Sequence, residues 1–444
     1  MEKREQWTSK LGFILAAAGS AVGLGAIWKF PYETGANGGS VFILLFIIST
    51  VFIGLPILLA EFVIGRRGQA DAVSGLKKQA PGKPWFLIGW SGFVFSFLIL
   101  SFYSVVGGWI LSYLARAILF QLSDYNDAGF GNLFNGIIAN PVEVLIAQAV
   151  FMLLTVWIVH GGIKSGIERA SKIMMPALLV FFVILMVRSL TLDGAMEGIR
   201  FMFVPDWSFF TFETALTALG QAFFSLSVGV AGMITYASYL PKTENLGRSA
   251  VSVVGLNIII SIMAGLIIFP AVFALDYLPD QGPGLVFIIL PAIFNELFMG
   301  QYLIILFFIL LLFATLTSSI SMLEITVSIA VKDKYDRRGK ISWLAGLAIF
   351  IVGIPSALSF GILSDPIFFG NTFFEFVDIL TSKIGLPLGA LFISLFAGYV
   401  LTQKDAHAEM YEQKLLVDVW RVLLRYVAPI AIIFVFVQGI LDIF

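Results

Sequence analysis

Long apolar segments alternate with short polar ones along almost the whole chain. A helix needs about 20 mainly apolar residues to cross a bilayer, and eleven segments meet that length. Several are longer than the minimum and contain Gly or Pro, which predicts tilted or kinked helices. The eleven predicted spans are residues 11–35, 40–65, 87–120, 142–160, 166–190, 212–239, 249–275, 301–331, 342–362, 371–401 and 418–443.

Two of these spans are interrupted near the middle by small and polar residues, at 19–25 (GSAVGLG) and 221–232 (QAFFSLSVGVAG). Unwound backbone inside a membrane is tolerated only where protein covers it or where it lines a polar cavity. Because the interrupted spans are the first and the sixth, they predict an inverted repeat of two five-span halves, residues 11–190 and 212–401, with a binding site where the breaks meet. Close helix packing by small residues is the alternative.

Composition and charge placement agree with a membrane protein. The chain is 59% hydrophobic and 12% charged, which excludes a water-soluble domain of this size, and the lack of cysteine excludes thiol chemistry. Lys and Arg are concentrated in every second loop, whereas the alternating loops contain only Arg188 and Arg200. This asymmetry predicts one domain, residues 1–444, in the inner (plasma) membrane, with residues 1–10 cytoplasmic, 403–417 an amphipathic cytoplasmic segment, and the C-terminus outside after the eleventh span.

Polar side chains within the predicted spans need partners, because burying them in lipid is costly. Glu61 could accept hydrogen bonds from amides freed in the sixth span, or could serve transport directly, and the sequence leaves both open. Glu324 and Asn257 are equally costly without partners. The hydroxyl cluster at 314–319 (ATLTSS) would suit an alkali cation, although such hydroxyls often bond back to their own helix.

Several motifs resemble the neurotransmitter:sodium symporter family, and they occur in the family's order. Residues 19–31 (GSAVGLGAIWKFP), with Asn37, Gly38 and Gly39, are similar to its opening signature. Residues 221–227 and 234–239 (ITYASY) are similar to its sixth span, 317–319 to its eighth and 375–378 (EFVD) to its tenth. The bacterial amino-acid branch is most similar, and the family's usual twelfth span is absent.

The resemblance implies an all-α polytopic membrane protein with a leucine-transporter-like fold. That fold has eleven transmembrane helices and a 5+5 inverted repeat with broken first and sixth helices. The implied activity is sodium-coupled symport by alternating access, so an enzyme is not expected. The expected partners are a hydrophobic L-amino acid, sodium ions and the lipid bilayer, with no nucleic acid, and the oligomeric state stays open.

The family also implies two sodium sites. The second would use backbone oxygens of Gly19, Val22 and Ala314 together with the hydroxyls of Thr317 and Ser318. Five uncharged oxygens suit a monovalent ion better than calcium.

The first sodium site would use Ala21, Ser225 and Asn257 with the carboxylate of the substrate, so that ion and substrate raise each other's affinity. The family's usual asparagine is replaced here by Ala26, and Ser20 or a water is the expected substitute. Chloride is not expected to be required, because Phe46 stands where chloride-dependent members have a tyrosine.

The resemblance also places the substrate between the two breaks. Members that carry monoamines have an aspartate where Gly23 stands, and glycine leaves room for the carboxylate of an amino acid. The pocket has no charged side chain, which favours aliphatic and aromatic hydrophobic amino acids. The implied substrate-binding residues are Ala21, Gly23, Gly25, Ile99, Tyr103, Phe224, Ser225, Ser227, Val230, Ala231 and Met322.

Two gates are implied. At the outer gate, Lys29 and Asp378 would form a salt bridge above Phe224 and Tyr103. At the inner gate, an N-terminal latch would involve Arg4, Trp7, Tyr239 and Asp333. The alternatives are a sodium- or proton-coupled carrier of another small solute, such as a nucleobase, and a non-transporting channel or sensor on the same scaffold.

Overall fold

Helices form the regular structure of the described chain. The computed structural model describes residues 5–123, 125–275, 284–332, 334–410 and 414–441. The helices up to residue 203 are α1 (Lys10–Ala21), α2 (Gly25–Ala36), α3 (Ser40–Gly68), α4 (Ala72–Gln79), α5 (Pro84–Ile118), α6 (Asp127–Ala139), α7 (Pro141–His160), α8 (Ile163–Leu190) and α9 (Ala195–Phe203). The later helices are α10 (Phe212–Leu226), α11 (Gly232–Ala237), α12 (Leu246–Ala274), α13 (Leu285–Glu296), α14 (Gly300–Val331), α15 (Tyr335–Leu358), α16 (Phe373–Val400), α17 (Gln403–Met410) and α18 (Lys414–Leu441).

The membrane-spanning helices follow the predicted pattern. Nine helices in the described ranges are long and apolar enough to cross a bilayer, and α1 with α2 makes a tenth span that bends by 53° at its break. The remaining predicted span, 212–239, consists of the two shorter helices α10 and α11. The eleven predicted spans are therefore consistent with the structure, and both predicted interruptions are present.

Wide (π) turns precede five prolines in the described helices. Proline has no N–H and its ring clashes with the carbonyl four residues earlier, so the helix widens by one residue just before it. The five wide turns and their prolines are Gly25–Lys29 before Pro31, Thr50–Gly54 before Pro56, Leu285–Ile289 before Pro291, Leu380–Gly385 before Pro387, and Leu423–Val427 before Pro429.

The interrupted spans lie at the centre of the molecule. The helices α5, α7, α14 and α15 pack against one another on one side. On the other side, α3 packs against both α10 and α11, so one helix supports both halves of the second interrupted span. The half-helix α1 packs against α8, α12 and α14, and its residues from Gly12 to Ala21 are all buried.

The predicted cytoplasmic segment 403–417 contains α17 (Gln403–Met410) and the first residues of α18, which begins at Lys414, with residues 411–413 outside the described ranges. Its cytoplasmic location stays a prediction. Ionic contacts hold α17 against the end of α3, because the buried Arg66 Nε lies 2.9 Å from Glu409 Oε2 and Arg67 lies 2.5 Å from Asp405.

Candidate functional site

The first break separates α1 from α2 at Val22. This residue has φ −87° and ψ 72°, outside the helical range, and its N–H still bonds to Ala18 O. The next amides leave the helical pattern: Gly23 N–H bonds to Ala21 O, and Leu24 N–H donates to the Tyr103 hydroxyl at 3.3 Å. The backbone of the break is therefore turned towards α5, and a tyrosine hydroxyl replaces a helical partner.

The second break, between α10 and α11, uses left-handed backbone. Ser227 has φ 52°, Gly229 has φ 99° and Ala231 has φ 59°. For a residue with a side chain this conformation costs roughly 1–2 kcal/mol, so the break needs support from its surroundings. A further contact joins the two breaks, because the Ser227 hydroxyl donates to Ser20 O at 3.0 Å.

Glu61 supplies that support. Its fully buried carboxylate accepts three backbone hydrogen bonds, from Gly229 N–H at 2.8 Å and from Met233 and Ile234 N–H at 3.2 Å each. These are amides that the interruption of the helix leaves without partners. Of the two interpretations that the sequence left open for Glu61, the structure shows the acceptor for the freed amides.

A cavity lies between the two breaks. Nine of the eleven residues predicted to bind substrate line it: Ala21, Gly23, Gly25, Ile99, Tyr103, Phe224, Ser227, Val230 and Met322. The other two lie just behind this lining. Ser225 is buried beside Asn257. Ala231 packs against Gly92 of α5, because a Cβ added to Gly92 would lie 2.7 Å from the methyl group of Ala231. Sequence reasoning missed Leu24, Phe102, Ser321, Ile325 and Leu386, which also line the cavity.

Two glycines, one in the first break and one at the start of α2, allow the backbone to approach its neighbours. A Cβ at Gly23 would overlap the Ser318 hydroxyl and lie 2.8 Å from the Tyr103 oxygen. A Cβ at Gly25 would lie 2.9 Å from the ring of Phe224. The cavity therefore has peptide groups on this side, where any other residue would place a side chain.

The residues proposed for the second sodium site lie together where α1 meets α14. The Ser318 hydroxyl contacts Gly19 O at 3.3 Å, and the Thr317 hydroxyl contacts Ala314 O at 2.9 Å. A Cβ on Gly19 would lie 3.0 Å from Thr317 Cβ, so the two helices touch here. Val22 is the residue at which α1 ends. These are uncharged oxygen groups, which suit a hard monovalent cation.

Three groups converge at the proposed first site. The Ser225 hydroxyl contacts Asn257 Oδ1 at 2.9 Å, and Asn257 Nδ2 contacts Ser225 O at 3.2 Å and Ala21 O at 3.4 Å. Turning the Asn257 amide over would face its oxygen towards these carbonyls. The Ser20 hydroxyl donates to Ser321 Oγ at 2.7 Å. Ser20 or a water as the substitute ligand stays a prediction.

The predicted outer salt bridge is not formed in this structure. Within the described residues, Lys29 has no ion pair; its ammonium lies 4.6 Å from the centre of the Phe224 ring. Asp378 accepts a hydrogen bond from the Ser382 hydroxyl, one turn along the same helix, at 2.7 Å. A cation over an aromatic face is attracted by the ring quadrupole. The Lys29 ammonium therefore contacts the face of the Phe224 ring and does not pair with the Asp378 carboxylate.

The inner end is closed by Trp7. Its indole N–H donates to Tyr236 O at 2.8 Å, and its backbone N–H bonds to Tyr239 O at 3.2 Å. The Tyr239 hydroxyl donates to Glu324 at 2.7 Å, and Glu324 forms an ion pair with Arg338 at 2.5 Å. Arg4 and Asp333 lie outside the described residues.

Glu324 is therefore the carboxylate that the structure places at the inner gate beside Tyr239. The expectation of Asp333 in this role came from its position at the end of α14, about two turns further along the chain. An acidic residue inside an apolar span is a functional signal in its own right, and it would have identified Glu324. Its partner Arg338 carried no such signal, because it lies in a run of basic residues that predicts only which side of the membrane the loop faces.

A cavity bounded by two interrupted membrane helices, with cation-suited oxygen groups beside it, defines a membrane transporter rather than an enzyme. The chain belongs to the Sodium:neurotransmitter symporter family, whose model matches residues 4–129 and 133–443. This confirms the family predicted from the motifs.

Individual relatives match over nearly their full length. A crystal structure of MhsT in complex with L-phenylalanine has a TM-score of 0.92 and 49% identity, and the match covers 98% of this chain and 100% of that one. The "Uncharacterized sodium-dependent transporter YhdH" of Bacillus subtilis is 51% identical over 99% of both chains. An "Uncharacterized sodium-dependent transporter" of Haemophilus influenzae is 36% identical over 99% of both. The structural match confirms the predicted fold class.

Proposed function

We propose that the protein carries hydrophobic L-amino acids, aliphatic and aromatic, into the cell together with sodium ions by alternating access. The observation that carries this proposal is the composition of the central cavity. Peptide groups of both breaks face it on one side, and none of the described residues that line it is charged. The phenylalanine bound to MhsT, at 49% identity, supports the same class of substrate.

The zwitterionic part of the substrate would lie against the start of α2. The amide end of a helix attracts an anion, and Gly23 and Gly25 bring this backbone to the cavity without side chains. The Tyr103 hydroxyl, already in contact with Leu24 N–H, would donate to the carboxylate. A larger charged group would find no counter-charge here, so the α-carboxylate is the anion that this end accepts.

The hydrophobic side chain would lie on the opposite side of the cavity, among Ile99, Val230 and Met322. Methionine adapts its shape to different neighbours, which suits a site that accepts both branched and aromatic side chains. Burying a Leu- or Phe-sized group in such a pocket contributes about 1.5–3 kcal/mol. Basic and acidic side chains would lose their hydration without gaining a partner.

Two sodium ions would accompany each substrate, one at Gly19, Val22, Ala314, Thr317 and Ser318, and one beside Asn257 with Ala21 and Ser225. The substrate carboxylate would face the ion of this first site, which makes binding of each dependent on the other. Chloride would not be required. The protein would lie in the plasma membrane with its N-terminus in the cytoplasm.

The gates would open in turn. The contacts of Trp7 and of Tyr239 with Glu324 close the cytoplasmic end, while Lys29 and Asp378 are apart at the other end. This combination suits a carrier that is closed towards the cytoplasm. Formation of the Lys29–Asp378 pair would then close the outer end once substrate is bound.

The test is uptake into proteoliposomes with an imposed sodium gradient. Labelled phenylalanine, leucine and tryptophan are expected to accumulate and to compete with one another, whereas lysine and glutamate are not. Replacing chloride by gluconate is expected to leave uptake unchanged. Exchange of labelled for unlabelled amino acid without a gradient separates a carrier from a channel or sensor. The proposal fails if phenylalanine neither accumulates nor exchanges in the presence of sodium.

A further inference from the structure

Gln221 has a buried amide oxygen that lacks a hydrogen-bond partner within the described residues. The residue lies on α10 and is 2% exposed. Its Nε2 donates to Gly25 O at 2.7 Å, and this contact fixes the orientation of the amide, because two oxygens at that distance would repel each other. A buried acceptor left without any partner costs about 1–3 kcal/mol. Such an atom therefore favours a partner that the protein itself does not supply, a water or a bound ion.

Gln221 is connected to the groups of the first sodium site through Gly25. Ser225 follows one helical turn later on the same face of α10. The backbone of Gly25, which holds the Gln221 amide, lies against Ser225: a Cβ at Gly25 would be 3.3 Å from Ser225 Cα. Ser225 in turn contacts Asn257, and Asn257 contacts Ala21 O. A continuous series of contacts therefore joins Gln221, through Gly25, to Ser225, then to Asn257 and Ala21.

The first sodium site lacks oxygen ligands without Gln221. Hard cations in proteins are surrounded by several oxygen atoms. Ala21, Ser225 and Asn257 supply three groups, Ala26 has only a methyl group, and the hydroxyl of Ser20 is bonded to Ser321. With the substrate carboxylate added, a further oxygen ligand is still expected for such an ion.

We propose that Oε1 of Gln221 is a ligand of the sodium ion at the first site and takes the place of the side chain absent at Ala26. A carboxamide oxygen is a neutral, hard ligand of the kind that alkali ions accept. Because the nitrogen of this amide is held by Gly25 O, the free atom is an oxygen, which attracts a cation and repels chloride. This inference rests on the proposed sodium coupling and adds one residue to its machinery.

The experiment measures sodium affinity without relying on transport. Purified protein is titrated with sodium chloride, with choline chloride keeping ionic strength and chloride constant, and thermal stability and binding of labelled L-phenylalanine are followed. Gln221→Ala is expected to raise the half-saturating sodium concentration about tenfold or more, as for loss of one interaction with a charge. At saturating sodium, phenylalanine binding is expected to recover. If the Ala variant does not fold, Gln221→Met keeps the volume without the oxygen.

A matched control exists on α7. Gln148 is also fully buried, its Nε2 donates to the Ser104 hydroxyl at 3.1 Å, and its Oε1 also has no partner within the described residues. Its printed hydrogen bonds go to Ser101 and Ser104 of α5 and to none of the groups of the first sodium site, so Gln148→Ala is expected to leave the sodium titration unchanged. Adding Ala26→Asn to the Gln221→Ala variant is expected to restore sodium affinity, because it returns an amide oxygen to the same site.

The outcomes separate this inference from the proposed function. A wild-type protein whose stability and phenylalanine binding ignore sodium would overturn both. A sodium-dependent wild type with the same titration in a folded Gln221→Ala variant would overturn only the role of Gln221, as expected if water alone fills the space beside its oxygen. A shift that persists after Ala26→Asn is added would mean that Gln221 acts through the fold and is not a ligand.

Discussion

The carboxylate of Glu61 offers the most direct test of how the second break is held. The substitution Glu61→Gln keeps the shape and the position of one oxygen but turns the other into an NH₂ donor. In the structure one oxygen accepts from Gly229 N–H and the other from both Met233 and Ile234 N–H. The variant can keep two of the three hydrogen bonds by turning its remaining oxygen to the N–H groups of Met233 and Ile234. Gly229 N–H then faces an NH₂ group.

The cost follows from these contacts. A hydrogen bond to a charged group contributes about 1.5–3 kcal/mol, and a buried N–H left without a partner costs about 1–3 kcal/mol. The two quantities overlap, because they describe the same lost bond, so Glu61→Gln is expected to cost roughly 3 kcal/mol. With unfolding entropies typical of globular proteins, that lowers the Tm by about 3 °C or more. Glu61→Ala loses all three bonds and is expected to cost more.

Thermal unfolding in detergent, followed together with L-phenylalanine binding, measures this effect. Glu143→Gln is the control, because Glu143 forms a partly exposed ion pair with Arg116 at 2.6 Å, and such pairs contribute at most about 1 kcal/mol. A Glu61→Gln protein that matched Glu143→Gln in Tm and bound phenylalanine like the wild type would refute the reasoning. The left-handed residues would then hold the break without the carboxylate.

Three further substitutions test the cavity, the second sodium site and the outer gate. Gly23→Ala is expected to abolish phenylalanine binding in a folded protein, since its Cβ overlaps the Ser318 hydroxyl; binding within twofold of the wild type would contradict the tight approach. Thr317→Ala is expected to raise the sodium concentration for half-maximal binding about tenfold, and an unchanged sodium titration would remove Thr317 from the site. Asp378→Asn is expected to slow uptake sharply without changing the Tm, because asparagine can still accept from Ser382; unchanged uptake would remove Asp378 from the gate.

The interrupted spans could be predicted because glycine and serine are out of place in the middle of apolar helices. Six of the nine predicted residues that line the cavity lie in or beside the family motifs around those breaks, and the other three, Ile99, Tyr103 and Met322, came from the resemblance of α5 and α14 to the family. The residues with left-handed backbone in the second break could not be predicted from the sequence in the same way. Two of the three are Ser227 and Ala231, residues that usually avoid this conformation. The hydrogen bonds that Glu61 accepts from nearby amides and the bond from the Ser227 hydroxyl to Ser20 O stabilise the break around them.

The gates were harder to predict than the cavity, because they depend on long side chains that can choose between partners. Lys29 could reach either an acid or an aromatic ring, and in this structure it lies over Phe224. Glu324 was recognisable as a buried acid, but its partner Arg338 was hidden among the basic residues of a loop. Sequence position places such groups within a turn or two, whereas the choice of contact depends on how the helices pack.

In the proposed transport cycle, the two partners of Glu324 bear on how easily the inner gate can open. Tyr239 gives this acid a neutral hydrogen bond, whereas Arg338 gives it a full counter-charge. Withdrawal of Tyr239 therefore leaves the acid neutralised, and only a hydroxyl has to be rehydrated. A carrier that releases substrate repeatedly would benefit from this arrangement. The Glu324–Arg338 ion pair can stay intact in every cycle, and the segment that moves is held by the Tyr239 hydrogen bond, which water can replace.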